Sequence, residues 1–383
     1  MRFLVLAILI LPQQTRPAQP ASAPAAPALA ETLQQKLDGF RSAGRFPGAT
    51  VGVAFQKGES IALATGVADR ESGRAMAATD RLAAGSAGKL CFAAALLKRV
   101  QAGEIALDGK VASYFSSDPW FRRLPNAEDM TVRQLMNHSS GLVRYELDGR
   151  FLEDLRKNPL RSWTVEQRLE YLLDRKAPFA AGQGWDYSDT NYIVLGAILE
   201  RMAKRPAYEE IDENVLKPNG LTGFVRFDSP LTPGLVPGYA GASDPILGED
   251  KTLRDGKFVI NPQFEWAGGG FACTAVDLAR LSRLYFEGQL YGIALLPQVI
   301  DGIPAPMLGR NTKYGLCAIL WQTPLGEARG HSGYFPGYMT EVRYFPEHRF
   351  AVSMQINTSD ARTLPKPLGA MIVELAKAVA ASK

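Results

Sequence analysis

Cysteine and histidine are scarce in this sequence, which contains three of each among 383 residues. An odd number of cysteines without close spacing excludes a disulfide framework and favours buried free thiols. The histidines share no ligand spacing with one another or with a cysteine, so we expect no metal site and no cofactor. The residues concerned are Cys91, Cys273, Cys317, His138, His331 and His348.

An excess of one charge is also lacking, because 43 Lys and Arg face 39 Asp and Glu and leave a net charge of +4. No run of basic residues is long enough to predict nucleic-acid binding. Hydrophobic residues make up 46% and charged residues 21%, which is typical of a soluble globular protein. We therefore expect no nucleic-acid partner, and the composition leaves the oligomeric state open.

The one long hydrophobic run, residues 3–11, is too short to cross a bilayer. It follows Arg2 and precedes a Pro- and Ala-rich stretch that ends in Ala28-Leu29-Ala30, an A-x-A cleavage pattern. This arrangement predicts a signal peptide over residues 1–30. We therefore expect a secreted or periplasmic protein without a stable membrane span after cleavage.

Strand-like patterns lie near both ends of the chain, and helical patterns fill the middle. This order predicts an α+β fold in which an antiparallel sheet, flanked by helices and built from both chain ends, carries an inserted mainly helical domain. We place the sheet domain at residues 31–105 plus 262–383 and the inserted domain at residues 106–261. The predicted strands are 49–55, 60–64, a short one ending at residue 85, 316–321, 338–345 and 350–356, and the predicted helices are 31–47, 90–103, 132–137, 165–173, 192–202, 275–286 and 364–381.

Ser86 and Lys89 stand three residues apart, just before an almost wholly apolar helical run, 90–97. We expect the serine to cap this helix and the lysine to lie beside its hydroxyl, on the same face of the first turn. Burial lowers the pKa of a lysine, and a neutral lysine can take the serine proton and make the oxygen nucleophilic. The alternative is a capping serine with an exposed lysine, although Ser-x-x-Lys occurs only once in the chain.

Three further segments carry polar or glycine-rich patterns beside predicted elements. Tyr187-Ser188-Asp189 precedes an apolar helix, His331-Ser332-Gly333 lies among the late strands, and Gly268-Gly269-Gly270 precedes another helix. Taken singly, each has an ordinary explanation, namely a boundary aromatic residue, a surface strand residue and a plain turn.

The order of these motifs resembles that of the serine β-lactamase and penicillin-recognising family, in its branch of class C β-lactamases, D-Ala-D-Ala carboxypeptidases and family VIII esterases. Ser86-x-x-Lys89 is similar to the first motif, and Tyr187-Ser188-Asp189 to the Tyr-x-Asn motif with Asp in place of Asn. His331-Ser332-Gly333 is similar to the third motif, which is Lys-Thr-Gly in class C β-lactamases and His-x-Gly in many peptidases and esterases. The stretch from Leu135 to Leu142 and the block that begins at Gly268 also resemble family segments. The resemblance implies a β-lactamase/transpeptidase-like fold.

The same resemblance implies a serine hydrolase in which Ser86 attacks the carbonyl of an ester, a D-amino-acid peptide or a β-lactam and forms an acyl-enzyme. Lys89 and Tyr187 would share the proton transfers, with Lys89 lowering the pKa of the tyrosine, and it stays open which of them is the base. The backbone N–H groups of Ser86 and Tyr334 would hold the oxyanion. The implied substrate-binding residues are Asp189 on the acyl side and His331, Ser332 and Gly333 on the opposite wall, and His138 is expected to be structural.

Histidine at position 331 predicts a substrate preference. Its usual pKa of about 6.5 leaves it mostly uncharged near neutral pH, whereas the lysine of class C β-lactamases carries a permanent charge. We therefore expect esters or peptides to be preferred over classical β-lactams, and carboxylate substrates to be handled better at mildly acidic pH. A nearby arginine could replace the missing charge.

Two alternatives stay open at this point. Residues 84–88 are one residue away from the Gly-x-Ser-x-Gly turn of α/β-hydrolases, a fold that needs parallel strands and leaves Lys89 without a role. A non-catalytic penicillin-binding sensor or scaffold of the same fold predicts damage to the serine, the lysine or the tyrosine, and none of the three is damaged.

Overall fold

The computed structural model describes residues 26–241, 244, 246–247 and 250–382. Its helices are α1 (Ala26–Ala43), α2 (Lys89–Gln101), α3 (Ala112–Phe115), α4 (Val132–Met136), α5 (Gly149–Lys157), α6 (Val165–Leu169), α7 (Thr190–Ala203), α8 (Ala207–Ile211), α9 (Ala275–Phe286), α10 (Leu296–Val299) and α11 (Leu368–Ala381). Its strands are β1 (Gly48–Phe55), β2 (Ser60–Gly66), β3 (Leu82–Ala83), β4 (Val225–Arg226), β5 (Leu253–Arg254), β6 (Lys257–Phe258), β7 (Phe271–Cys273), β8 (Ile303–Pro304), β9 (Lys313–Gly315), β10 (Ala318–Thr323), β11 (Gly326–Phe335), β12 (Tyr338–Phe345) and β13 (Phe350–Ile356).

The main sheet joins the two ends of the chain. Its strands run in the order β2-β1-β13-β12-β11-β10-β9-β8, and every neighbouring pair is antiparallel. Strand β1 from the beginning of the chain pairs with β13 from its end, with Val51 opposite Met354. The predicted α+β class is therefore confirmed. The α/β-hydrolase alternative was wrong, because that fold needs parallel strands.

Helices cover both faces of the main sheet. Side chains of β1 alternate in direction, so Val51 and Val53 face a hydrophobic cluster that α1 and α11 complete. Leu33 and Leu37 of α1 are fully buried in this cluster, as the apolar stripe in the sequence predicts. Gly52 points the other way, toward the start of α9, which packs on β1, β12 and β13.

A smaller sheet places the Ser86 segment beside the glycine run. Its strands are ordered β3-β7-β4, with Leu82 opposite Cys273. Directly after β3, the N–H of Ala84 donates to the carbonyl oxygen of Phe271 at 2.8 Å. Residues 84–88 and 268–271 therefore meet in space although they are distant in the sequence.

Strands β12 and β13 and helix α9 have the bounds that the sequence predicts. Helix α1 begins at Ala26 rather than at residue 31, and it ends at Ala43 rather than at residue 47. The prediction that Ser86 caps the next helix was wrong, because Gly85–Gly88 form a 3-10 turn and α2 begins at Lys89. The Ser86 hydroxyl accepts from the Lys89 side chain instead.

Among the described residues, no strand of the main sheet falls within the expected inserted domain, 106–261, and the domain boundaries themselves stay a prediction. The expected signal peptide lies outside the described residues except for residues 26–30, which belong to α1 and include the buried Leu29. In the described part of the chain, no helix combines the length and the apolar character needed to cross a membrane.

Candidate active site

Ser86 and Tyr187 line a cavity of about 370 Å³. Three consecutive residues of β11, Ser332, Gly333 and Tyr334, belong to the same lining. The fold thus brings together five of the residues that the motifs single out, from three distant parts of the chain. The remaining lining residues are the apolar Leu308, Ile319, Met339 and Leu368, the polar Thr340 and the charged Arg144 and Glu341.

Lys89 is fully buried, and its ammonium group contacts three acceptors. Nζ donates to Oγ of Ser86 at 2.9 Å and lies 2.5 Å from Oδ1 of Asp189. It also donates to the carbonyl oxygen of Gly268 in the glycine run. The contacts with Ser86 and Gly268 are hydrogen bonds, whereas the contact with Asp189 is a short ion pair without hydrogen-bond geometry. A carboxylate this close favours the ammonium form of Lys89. The geometry is therefore that of a charged lysine.

The charge of Lys89 contradicts the expectation of a neutral base. Burial acts to lower the pKa of Lys89, but the carboxylate of Asp189, aided by Tyr187 and Glu265, raises it above its usual value. The physical reason is the residue in the second motif. An asparagine at position 189 would bring no negative charge, and the aspartate of this chain does.

Asp189 lies at the centre of a charged cluster that comprises Lys89, Arg144, Glu146, Asp189 and Glu265. Asp189 is 6% exposed, and its Oδ2 lies 3.8 Å from Arg144, which pairs with Glu146 at 2.6 Å. Burial acts to raise the pKa of Asp189, but Lys89 and Arg144 outweigh it and hold this pKa below its usual range. Burial and the charge of Asp189 raise the pKa values of Glu146 and Glu265.

Asp189 lies beside the cavity and is not part of its lining. We expected its side chain on the acyl side of the substrate, whereas the cavity lining contains Arg144 rather than Asp189. The carboxylate of Asp189 is engaged with Lys89 and keeps that lysine charged. A contact between Asp189 and the substrate stays a prediction.

Tyr187 lies between Lys89 and a buried histidine. Nζ of Lys89 is 5.2 Å from the centre of the Tyr187 ring, and the ring of His138 packs on the tyrosine with centroids 4.2 Å apart. The Tyr187 hydroxyl is buried and makes no hydrogen bond of normal geometry to any described residue. Burial raises the pKa of Tyr187, Lys89 lowers it, and Asp189 raises it again. The pKa ends above its usual value, so the expected effect of Lys89 exists but is outweighed.

Two glycines let the expected oxyanion donors approach each other. A Cβ at Gly333 would lie 2.0 Å from the carbonyl oxygen of Ala84, and a Cβ at Gly85 would lie 2.7 Å from the nitrogen of Tyr334. Gly85 also has a φ of +50°, a region that favours glycine. The backbone around Ser86 and Tyr334 can pack this closely only without these side chains. Their role as oxyanion donors stays a prediction.

His331 lies behind the cavity wall. It is 1% exposed, and its ring is not part of the cavity lining. Burial, together with the charge of Lys89, lowers the pKa of His331 to about 3. The histidine is therefore neutral near pH 7, as expected. This lowered pKa does not favour the expected improvement with carboxylate substrates at mildly acidic pH, which stays a prediction.

Two buried histidines and a tyrosine form a neutral chain of hydrogen bonds, His138–Tyr314–His331. Oη of Tyr314 lies 3.2 Å from Nε2 of His138 and 2.8 Å from Nε2 of His331. Burial, and to a smaller degree Lys89, holds the pKa of His138 well below its usual value. His138 is thus a buried neutral residue in contact with Tyr187, and its expected structural role stays a prediction.

Sequence reasoning missed Arg144, Glu146 and Tyr314. Arg144 and Glu146 closely follow the Leu135–Leu142 stretch, and two opposite charges beside that family-like segment were an available signal. Tyr314 gives no such signal, because an aromatic residue before a strand is ordinary in a protein core. For metals, residues 26–382, apart from the undescribed positions, contain no group of three or more potential ligands.

The family model described as Beta-lactamase matches residues 29–370 of the chain. Esterase EstB of Burkholderia gladioli is 32% identical over 262 residues, which cover 66% of this chain and 64% of that protein. Penicillin-binding protein 4* of Bacillus subtilis is 24% identical over 241 residues, which cover 61% of this chain and 52% of that protein. The chain therefore spans between 52% and 64% of the length of these curated relatives.

A solved structure shows the same fold at lower sequence identity. The D-amino acid amidase from Ochrobactrum anthropi SV3, in complex with D-phenylalanine, matches with a TM-score of 0.78 at 22% identity. The match covers 93% of this chain and 99% of that one. At this identity the likeness shows the fold alone, and it extends over both the sheet and the helical middle of the chain.

Proposed function

The chain belongs to the beta-lactamase family, as its motifs predict, and we propose that it is a serine hydrolase that acts through an acyl-enzyme on Ser86. The observation that carries this proposal is the 2.9 Å contact between Nζ of Lys89 and Oγ of Ser86, in a cavity that Tyr187 also lines. Covalent catalysis needs a nucleophile within hydrogen-bonding distance of a proton-handling group that a third group orients. Asp189 is that third group, at 2.5 Å from Lys89.

Lys89 and Tyr187 handle the proton of Ser86 as a unit. Asp189 holds Lys89 in its charged form, so the pair of Lys89 and Tyr187 has to give up one proton to water before Ser86 attacks. Tyr187 has to lose its phenolic proton, and the charge of Lys89 favours the resulting anion. Attack by Ser86 on a carbonyl then gives an oxyanion for the N–H groups of Ser86 and Tyr334, and the proton passes to the leaving group. Water releases the acyl group in a second step.

We propose small esters, or amides and peptides of D-amino acids, as substrates. One relative is named an esterase, and a protein of the same fold is named a D-amino acid amidase. The cavity lining is largely apolar, and the neutral, buried His331 offers no charge to a β-lactam carboxylate. Arg144 is the cation of this lining and can face an anionic group beside Tyr187. Secretion, expected from residues 1–30, belongs to the same proposal.

Labelling with a fluorophosphonate, followed by digestion and mass spectrometry, tests the nucleophile. We expect label on Ser86 in the wild type and none in Ser86→Ala. The matched control is Ser332→Ala, which removes the other serine hydroxyl of the cavity lining and keeps the label on Ser86. Label on Ser332, or no label in the wild type, contradicts the assignment.

A substrate panel tests the rest of the proposal. A chromogenic cephalosporin, a D-Ala-D-Ala peptide, a D-amino acid amide and short nitrophenyl esters are assayed side by side. We expect the esters or the D-amino acid compounds to have the higher kcat/KM. A cephalosporin that is hydrolysed faster than all of them overturns the substrate preference. Label on Ser86 without turnover of any substrate supports the non-catalytic penicillin-binding module instead.

A further inference from the structure

Tyr314 connects two parts of the cavity wall through the neutral chain. At one end, the N–H of Ser188, the residue after Tyr187, lies 3.3 Å from Nδ1 of His138. At the other end, Nδ1 of His331 lies 2.5 Å from the carbonyl oxygen of Ser332, two residues before Tyr334. Among the described residues, the Tyr314 hydroxyl is the group whose hydrogen bonds join these two histidines, and the Tyr187 ring packs beside both of them.

The backbone groups at the two ends of the neutral chain His138–Tyr314–His331 determine the position of every proton in these three side chains. A backbone N–H can only donate, so Nδ1 of His138 is an acceptor and the proton of this neutral ring is on Nε2. Nε2 then donates to Oη of Tyr314, which leaves the tyrosine proton for Nε2 of His331. His331 consequently carries its own proton on Nδ1. This matches the Ser332 carbonyl, which can only accept.

We propose that Tyr314 is a positioning residue that holds Tyr187 and the oxyanion donor Tyr334 at a fixed separation. The proposal rests on the proposed hydrolase function. The hydroxyl of Tyr187 makes no hydrogen bond of normal geometry to a described residue, so the contacts of its ring matter for its position, and the ring of His138 packs on it with centroids 4.2 Å apart. At the opposite end, His331 fixes the Ser332 peptide, and the next residue, Gly333, packs on Ala84.

The assigned positions of the ring protons of His138 and His331 are tested by ¹⁵N NMR on the full chain, labelled at histidine. The sequence contains only three histidines, so each signal can be assigned by single substitution. We expect His138 as the Nε2–H tautomer and His331 as the Nδ1–H tautomer at neutral pH. Finding both rings in the same tautomer, or either ring charged, overturns the proposal. This measurement is independent of whether the protein hydrolyses any substrate.

The positioning role is tested with Tyr314→Phe, which removes the linking hydroxyl and keeps the ring. We expect kcat to fall by about tenfold to a hundredfold, since small misplacements of reacting groups have effects of this size. We expect KM to change little, because the hydroxyl does not belong to the cavity lining. In the NMR spectrum, the Nε2–H proton of His138 should lose its protection from exchange.

The matched control is Tyr291→Phe, which removes another fully buried hydroxyl, one that donates to the carbonyl of Tyr285 at 2.7 Å. If kcat falls no further in Tyr314→Phe than in this control, the Tyr314 hydroxyl has only a structural role and the proposal is overturned. Fluorophosphonate labelling of the folded fraction corrects both rates for unfolded protein. If both histidines show the expected tautomers but the protein hydrolyses no substrate, the proposed function is contradicted. The hydrogen bonds of His138, Tyr314 and His331 are then still confirmed.

Discussion

Two groups of buried residues lie beside Ser86, and burial has opposite results in them. In the charged cluster, Lys89 is 0% exposed and keeps its charge. In the neutral chain, His331 is 1% exposed and loses its charge. Burial disfavours the charged form of both side chains, so the difference comes from their partners. Lys89 faces a carboxylate, whereas His331 faces a hydroxyl and a carbonyl. The positive charge of Lys89 lowers the pKa of His331 further.

The charged cluster and the neutral chain therefore differ in what they contribute to the site. The charged cluster contains Lys89, which donates a hydrogen bond to Ser86, and it keeps several carboxylates close enough to influence one another's pKa values. The neutral chain contains no charged side chain. Its hydrogen bonds all run in the same direction, from His138 through Tyr314 to His331 and the Ser332 carbonyl. Buried polar groups whose partners are all matched rigidify a site rather than take part in its chemistry.

Removing Lys89, a member of the charged cluster, or Tyr187 beside it should have the largest effect. We expect Lys89→Ala and Tyr187→Phe each to slow acylation by about 10²- to 10⁴-fold, because each removes a proton-handling group. The double variant should lose little more than either single variant, because the two residues act as a unit. Acylation rates from stopped-flow labelling check this, with Lys98→Ala, on the same helix and bound to the Asn214 carbonyl, as control. Fully additive losses would contradict a shared proton path.

Removing the negative charge of Asp189 should let burial lower the pKa of Lys89, as burial lowers the pKa of His331 in the neutral chain. We expect Asp189→Asn to lower the free energy of unfolding by about 3–5 kcal/mol near pH 7, because it leaves a buried charge with less compensation. In the wild type the pKa of Lys89 is raised, so its contribution to stability is complete below the unfolded value of 10.5. In the variant burial lowers this pKa, although Glu265 still opposes the effect. The variant therefore binds fewer protons when folded, and its stability deficit should shrink as the pH rises.

Urea unfolding of wild type and Asp189→Asn at pH 6 and pH 9 measures this change. The control is Asp228→Asn, which removes a half-exposed partner of Arg226 and should cost only about 0–1 kcal/mol at either pH. A deficit that is constant between the two pH values would show that Asp189 does not control the protonation of Lys89.

The protonation of His331 should have the smallest effect, a change in the free energy of unfolding that is confined to acidic pH. His331 has a pKa lowered to about 3, so its contribution to stability is complete above the unfolded value of 6.5 and is lost as the pH falls toward 3. Between pH 6 and pH 4 this loss amounts to up to about 1.4 kcal/mol per pH unit. We expect His331→Gln to show a shallower fall of unfolding free energy in this range, measured by urea unfolding at several pH values. Parallel curves for the two proteins would mean that His331 is charged in the folded protein.

The sequence was most informative where one pattern suffices. Alternating apolar residues predict β12 and β13 with their observed bounds, and the regular apolar stripe predicts α9. Ser86-x-x-Lys89 predicts the contact between these two side chains, because three residues along a helical turn bring them together. The order of the three motifs identifies the family, which the match over residues 29–370 confirms.

Protonation was least predictable, because it depends on residues that only the fold brings together. The sequence places Lys89 in an apolar helix and so predicts a neutral amine, whereas Asp189 and the Gly268 carbonyl, from other segments, stabilise the ammonium. The capping role of Ser86 failed for a similar reason. The close packing of Gly333 on Ala84 and of Gly85 on Tyr334 accompanies a 3-10 turn there instead of the first turn of a helix.

The sequence by itself thus determined the sheet from both chain ends and the contact between Ser86 and Lys89, since these follow from local periodicity and spacing, and the order of its motifs determined the family. Only the tertiary structure decided which groups carry charge. A pKa depends on distances of a few ångströms between side chains that are far apart along the chain, such as Lys89 and Asp189 or His138 and Tyr314. Burial is visible in a sequence pattern, and the partner that compensates for it is not.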